Sequence, residues 1–137
     1  MGFEAFGKVS YTPESRVAAF VDYLAQGKIM GTKCKSCGKV YFPPKLDCPS
    51  CLKSETEWVE IKNGGTLLTF SVVHYGPAGF EDDQPYTIAV GEFADGVRIF
   101  SRLSKDIKAE DTRVGMKLKV VPVKLPGDRI SYEFQKA

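Results

Sequence analysis

Apolar and polar residues alternate with two different periods along this chain. Val17, Phe20, Val21 and Leu24 recur at i, i+3, i+4 and i+7, a spacing that places them on one helical face. Thr12 is positioned to cap this helix. Pro13 suits the first turn, where no N–H is needed, and Glu14 favours the positive end of the dipole. Gly27 marks the stop. With Ala18 and Ala19 added, the apolar surface is broad for one short helix. Val17, Phe20, Val21 and Leu24 are therefore candidate contacts to a partner, with part of the face covering the segment that follows. Ahead of the helix, Phe3, Phe6 and Tyr11 are large apolar groups for a free tail and predict that the tail docks on something.

After residue 56 the period falls to two. Trp58 to Ile61 alternates, Gly64-Gly65 reads as a turn or bulge, and Thr66 to Tyr75 is a long β-rich run. Pro85 to Phe93 is a second run. Asp95-Gly96 is a strong hairpin signal before Val97 to Leu103. A polar connection over 104–116 has room for one helical turn. Lys117 to Leu125 and Arg129 to Phe134 then pair around Pro126-Gly127-Asp128. With Trp58–Ile61 taken as leading into the first long strand, this makes five strands, with a longer link before the fourth. Such a set suits a small closed barrel of the OB type, which also hides strand edges.

Between helix and barrel lie all four cysteines of the chain, in two pairs, Cys34-Lys35-Ser36-Cys37 and Cys48-Pro49-Ser50-Cys51, ten residues apart. Each pair forms a knuckle that aims two sulfurs at a common centre, and two knuckles complete a tetrahedral thiolate site. Zinc prefers such soft ligands and, in a structural site, needs no open position. Iron in a rubredoxin-like site is the competing reading; there a glycine is expected after the second knuckle, where this chain has Leu52. Tyr41 and Phe42 read as a short strand that Pro43-Pro44 keeps from extending. The expected layout is mainly β: an N-terminal tail and amphipathic helix over 1–27, a rubredoxin-like four-Cys zinc ribbon over 28–56, and a five-stranded OB-fold barrel over 57–137.

Charge sharpens the ribbon. Residues 28–53 hold six lysines and one acid, Asp47, formally +5 in a chain of net +2. Zinc with four thiolates would bring the ribbon nearer +3. Lys33, Lys35 and Lys45 are candidate contacts for phosphates, of a nucleotide-containing cofactor or of a nucleic acid; solubilising a small metal knuckle is the plainer role. No apolar run approaches the roughly 20 residues needed to cross a bilayer. With no signal-peptide pattern, a cytoplasmic location is expected.

The chain resembles the zinc-ribbon/OB-fold family of acyl-CoA-associated proteins. The residues that carry this are Gly31-Thr32-Lys33-Cys34-Lys35-Ser36-Cys37-Gly38, Tyr41-Phe42-Pro43-Pro44, Cys48-Pro49-Ser50-Cys51, Phe70-Ser71-Val72-Val73-His74, Pro85-Tyr86 and Val114-Gly115-Met116. The resemblance spans about 15–135. It implies a small subunit partnered with a thiolase-superfamily enzyme, whose larger chain supplies catalytic Cys and His. It also implies a CoA thioester as ligand of the complex. One such pair is the two-subunit benzoylsuccinyl-CoA thiolase of anaerobic aromatic degradation, and the chain is similar to its small subunit.

The residues themselves offer little catalytic machinery. All four thiols are spoken for as metal ligands. The single histidine, His74, lies in a β-rich run with no visible activating partner, and reads as structural. Glu81-Asp82-Asp83, in a Gly/Pro-flanked loop, reads as a solvated loop tip; Phe80 beside it is an apolar residue able to insert into a partner. Single-stranded nucleic-acid binding and rubredoxin-like electron transfer stay open as alternative functions. The −2 charge of residues 54–137 weighs against the first.

Overall fold

The computed structural model describes residues 1–9, 11–62 and 64–137. Helix α1 runs Ala19–Ala25. It starts later than the Thr12 cap predicts: Thr12 and Ser15 make only local contacts to the N–H groups of Glu14 and Val17, and residues 16–18 form a turn. The stop is as expected. Gly27 takes φ +82°, its N–H bonds the Leu24 carbonyl at 2.9 Å, and the Lys28 N–H reaches back to Tyr23 at 2.9 Å. These two bonds satisfy carbonyls that the helix end would otherwise orphan.

Three strands follow as a small sheet: β1 (Met30–Cys34), β2 (Val40–Tyr41) and β3 (Thr56–Glu60), in the order β2-β1-β3. This corrects one expectation. Trp58 and Val59 do not lead into the barrel; they pair with Thr32 and Gly31 as the outer strand of the ribbon.

The second sheet has five strands: β4 (Gly65–Val73), β5 (Tyr86–Glu92), β6 (Arg98–Arg102), β7 (Lys117–Leu125) and β8 (Arg129–Lys136), ordered β6-β5-β4-β7-β8. Its ends are drawn together. Leu103 bridges Phe134, the Ser104 N–H donates to the Phe134 carbonyl at 2.8 Å, and the Ser101 hydroxyl donates to the Tyr132 carbonyl at 3.1 Å. A register shift between Leu67 and Thr69 bends β4, so that one strand serves β5 along its length and β7 at its start. Gly65 sits at that crossing; a Cβ there would lie 2.7 Å from the Glu92 carbonyl oxygen and 2.8 Å from the Phe93 ring. Asp95 and Gly96 both take positive φ, as the hairpin signal predicts. One helical turn, Ala109–Asp111, falls inside the 104–116 link.

One core joins these parts. Phe20, Val21 and Leu24 are 2%, 0% and 1% exposed, packed with Ile29 and Phe42 of the ribbon and with Leu67, Ile99, Leu118 and Phe134 of the barrel. The helix face therefore covers its own chain, and these three residues are not available to a partner. Val17 is only half-buried. The Phe20 ring lies 5.7 Å from Phe42, 6.1 Å from Tyr132, 5.9 Å from Phe6 and 6.2 Å from Phe3, centroid to centroid. The tail docks as its aromatics suggest, on its own barrel: the Gly7 N–H donates to the Ile130 carbonyl at 2.8 Å.

The acidic loop also differs from expectation. Asp83 is not a solvated tip. Its side chain is 12% exposed and meets Lys8 of the tail, Arg102 of β6 at 3.0 Å and Lys105 at 3.3 Å. Burial would raise its pKa, but hydrogen bonds from Lys8, Arg102 and Lys105 outweigh it and hold the carboxyl at about 2.

Two outcomes follow from this packing. Phe20→Ala should lower stability by about 3–5 kcal/mol in chemical denaturation, because the cavity opens where four segments meet. Asp83 binds its proton less readily folded than unfolded, so its stabilisation is complete above its ordinary pKa of 3.8 and is lost as pH falls toward 2. Melting curves of wild type and Asp83→Asn should converge across that interval and diverge above it.

Candidate metal centre and the surfaces around it

The two knuckles are built alike. In the first, the Gly38 N–H bonds the Cys34 carbonyl at 2.9 Å; in the second, the Leu52 N–H bonds the Cys48 carbonyl at 2.9 Å. Each turn then needs a left-handed residue, Gly38 at φ +78° and Leu52 at +63°. Backbone N–H groups converge on the sulfurs in the same way. Those of Ser36 and Cys37 point at Cys34, and those of Ser50 and Cys51 at Cys48; Lys39 and Lys53 supply one each to Cys37 and Cys51. β1 delivers Cys34 at its last position, and the Cys34 N–H bonds the Lys39 carbonyl at 2.9 Å, which closes the first loop.

The four sulfurs lie within 4.8 Å of one another, with Cys34–Cys51 and Cys37–Cys48 each at 3.5 Å. A tetrahedral ion with Zn–S near 2.3 Å places its sulfurs about 3.8 Å apart, so the cluster fits one such ion. When bound, zinc would close the ribbon with four thiolates and keep no position for water. The thiols are unevenly poised. The Tyr41 hydroxyl, 3.1 Å from Cys48 Sγ, is the main reason the Cys48 thiol falls to about 6, with N–H groups of Cys51 and Ser50 assisting. The Lys53 N–H lowers the Cys51 pKa, but burial and the neighbouring thiols outweigh it and push it up to about 11. The same contact with Cys48 drives the Tyr41 phenol up to about 12. Tyr41 thus orients a ligand sulfur from the second layer of the site. The sequence marks Tyr41 as part of a short strand and of Tyr-Phe-Pro-Pro, and neither pattern states this task. Thr32 is the second residue that pattern-reading missed: its buried hydroxyl donates to the Lys45 carbonyl at 2.7 Å and accepts the Lys45 N–H at 2.8 Å, pinning the loop between the knuckles.

The three candidate phosphate lysines do not share one surface. Lys33 lines a cleft of about 770 Å³ between the ribbon and the 94–97 hairpin, together with Lys39, Lys62, Glu60 and Asp95. Lys35 and Lys45 do not line it, and the Lys45 ammonium stands over a ring of its own ribbon, 5.2 Å from the Tyr41 centroid. Phe80 is half-buried against Tyr86, with Lys8 5.0 Å above its ring, so it packs on its own barrel. His74 is exposed just beyond β4. No helix among the described residues is long and apolar enough to cross a membrane.

A four-thiolate ribbon fused to an OB-type barrel defines a class, and two family models divide the chain in the same way. Residues 21–57 match the ChsH2 rubredoxin-like zinc ribbon domain, and 58–123 match the ChsH2 C-terminal OB-fold domain. The chain belongs to this zinc-ribbon/OB-fold family, also called DUF35. It is 42% identical over 94 residues to a DUF35 domain-containing scaffold protein of Methanocaldococcus jannaschii, covering 68% of this chain and 66% of that protein, just under two thirds of its length. It is 27% identical over 111 residues to the benzoylsuccinyl-CoA thiolase subunit BbsA of Geobacter metallireducens, covering 79% and 74%. Among solved structures, the Ltp2-ChsH2(DUF35) aldolase superposes with a TM-score of 0.76 at 23% identity, over 92% of this chain and 98% of that one. That last likeness speaks for the fold alone.

Leu52 yields a test of the site. It is 85% exposed and left-handed, so its side chain adds strain with little packing in return. Leu52→Gly should stabilise the metal-loaded protein by about 0.5–1 kcal/mol, the relief of left-handed strain less the extra freedom of an unfolded glycine. Denaturant titration of the loaded form measures it.

Proposed function

We propose that this chain is a non-catalytic accessory subunit of an acyl-CoA-processing complex, paired with a thiolase-superfamily catalytic subunit. The observation that carries the reading is that every thiol of the chain is gathered into one cluster, within 4.8 Å, in a member of a family whose relatives include scaffold proteins and a thiolase subunit. Thiolase-type chemistry needs a cysteine nucleophile with a base beside it. Four sulfurs committed to a closed metal site leave none, and the nucleophile then belongs to another chain. Structural zinc on Cys34, Cys37, Cys48 and Cys51 holds the ribbon in shape, a role that suits a segment too small to have its own core.

The acyl group is best left general. The scaffold relatives are 42%, 30% and 29% identical and the two BbsA subunits 27% and 36%, so these relatives support an assembly role without selecting one acyl substrate such as benzoylsuccinyl-CoA. For the CoA thioester, the ribbon–barrel cleft is a better candidate contact than Lys33, Lys35 and Lys45 together, since Lys33, Lys39 and Lys62 all line it. Phosphates of the cofactor would meet ammonium groups there in partial exposure, where such contacts orient more than they bind.

The experiment is affinity purification of the tagged chain from its native host, followed by assay of the recovered large subunit with and without it. A thiolase-type subunit should co-purify and be weak or inactive alone. Full activity of the isolated large subunit would count against an essential accessory role.

A further inference from the structure

With the helix face consumed by the core, an exposed apolar surface has to come from elsewhere. It lies on β6. Ile99 is fully buried there, yet the next residue, Phe100, is 59% exposed in mid-strand. Phe100 forms one wall of a groove of about 410 Å³, with Ile88, Val123 and Leu125 on the others. Lys8 and Arg102 are its only charged lining among the described residues. Their shared counter-ion, Asp83, lines the adjoining cavity with Asp82 instead, and Asp83 is the carboxylate that pairs with Lys8, Arg102 and Lys105. Glu81 is engaged by the Gly79 N–H at 2.9 Å and does not line the groove. The groove thus offers apolar walls and a positive edge.

The start of the strand beside it has one strand partner among the described residues, with the tail segment Phe6–Lys8 lining the groove next to β8. β6 is an outer strand, and its closure onto β8 occurs at the Leu103 end. Among the described residues, Arg98–Phe100 pair with β5 alone. A strand edge next to an apolar groove is the setting in which a partner adds a strand, its main chain giving affinity and its side chains giving specificity. We propose that this groove receives an extended segment of the large catalytic subunit, carrying an apolar side chain next to a carboxylate. The proposal rests on the accessory-subunit reading. Charge selects the occupant: the apolar residue meets Phe100 and its neighbours, and the carboxylate meets Lys8 and Arg102. A second copy of this chain is a poor fit, because a two-fold contact through the groove sets the same cations against each other.

The test uses the full chain, tagged, with the thiolase-type large subunit that wild type captures. Phe100→Asp should weaken capture about tenfold or more, as loss of a central aromatic anchor does. Lys8→Gln, which removes the charge without setting a second carboxylate against Asp83, should weaken it as well and make it less sensitive to salt. Tyr75→Asp, at an exposed position outside the groove, should bind as wild type, and all three variants should keep their metal content. Unchanged capture by both groove variants, or equal loss in Tyr75→Asp, overturns the groove while leaving the accessory role standing. If wild type captures no thiolase-type subunit, the accessory reading itself fails and the groove proposal falls with it.

Discussion

Burial of Phe20 is the contact on which the rest of the structure depends. Its ring stands against Phe3 and Phe6 of the tail, Phe42 of the ribbon and Tyr132 of β8. Four segments with separate local reasons to fold are made one body at that point. The ribbon shows why this is needed. Its knuckles are held by backbone turns and, when loaded, by the metal, but those forces act within a few residues. They shape the ribbon without orienting it. Orientation comes from Phe42, which leaves β2 and enters the common core, 5.2 Å from Tyr132. Metal closure and aromatic burial are therefore complementary: one makes the small sheet, the other fixes it to the barrel.

That division limits which surfaces remain for other molecules. In a seven-residue helix, three buried residues, Phe20, Val21 and Leu24, take up the main apolar stripe. Two of the surfaces that remain are the ribbon–barrel cleft, with its lysines, and the groove by Phe100. They differ in chemistry. The cleft mixes Lys33, Lys39 and Lys62 with Glu60 and Asp95, so it suits polar, solvated ligands. The groove has aliphatic and aromatic walls with a cationic edge, so it suits an apolar side chain held in register by charge. The two faces are separate, and neither competes for the core.

Much of this was legible in the residues, and the parts that were not share a physical cause. Cysteine spacing predicts the sulfur cluster because knuckle geometry is local; Asp95-Gly96 predicts its turn because positive φ is local too. The five barrel strands follow from period-two patterning for the same reason. Partnership is not local. The apolar stripe on α1 is the same whether it faces a barrel or another chain, and only the tertiary structure shows that Phe20, Val21 and Leu24 face inward. Trp58–Ile61 alternates identically for a ribbon strand or a barrel strand, and its pairing with β1 is set by the path of the chain. Asp83 reads as a surface acid until Lys8, distant in sequence, and Arg102 arrive beside it. Tyr41 lies in the Tyr-Phe-Pro-Pro run, yet its bond to Cys48 depends on how β2 folds back over the second knuckle.

The second knuckle then bears on what kind of metal site this is. Rubredoxin-like electron carriers profit from glycine after each cysteine pair, since the turn needs a left-handed residue and the sulfur gains from close backbone N–H groups. Here Gly38 meets that need in the first knuckle, while Leu52 accepts a left-handed backbone with its side chain in solvent. The N–H groups of Ser50, Cys51 and Lys53 still reach their sulfurs, so ligation survives the substitution and only strain is added. A site selected for finely tuned electron transfer has reason to shed such strain; a site whose task is to hold two loops together tolerates it as long as four thiolates close on the ion. The Tyr41 hydroxyl on Cys48 fits the latter, since it steadies a sulfur already shielded from water. The sulfur cluster is thus best understood as the fastener of the ribbon, whose placement on the barrel is decided by Phe42 and Phe20.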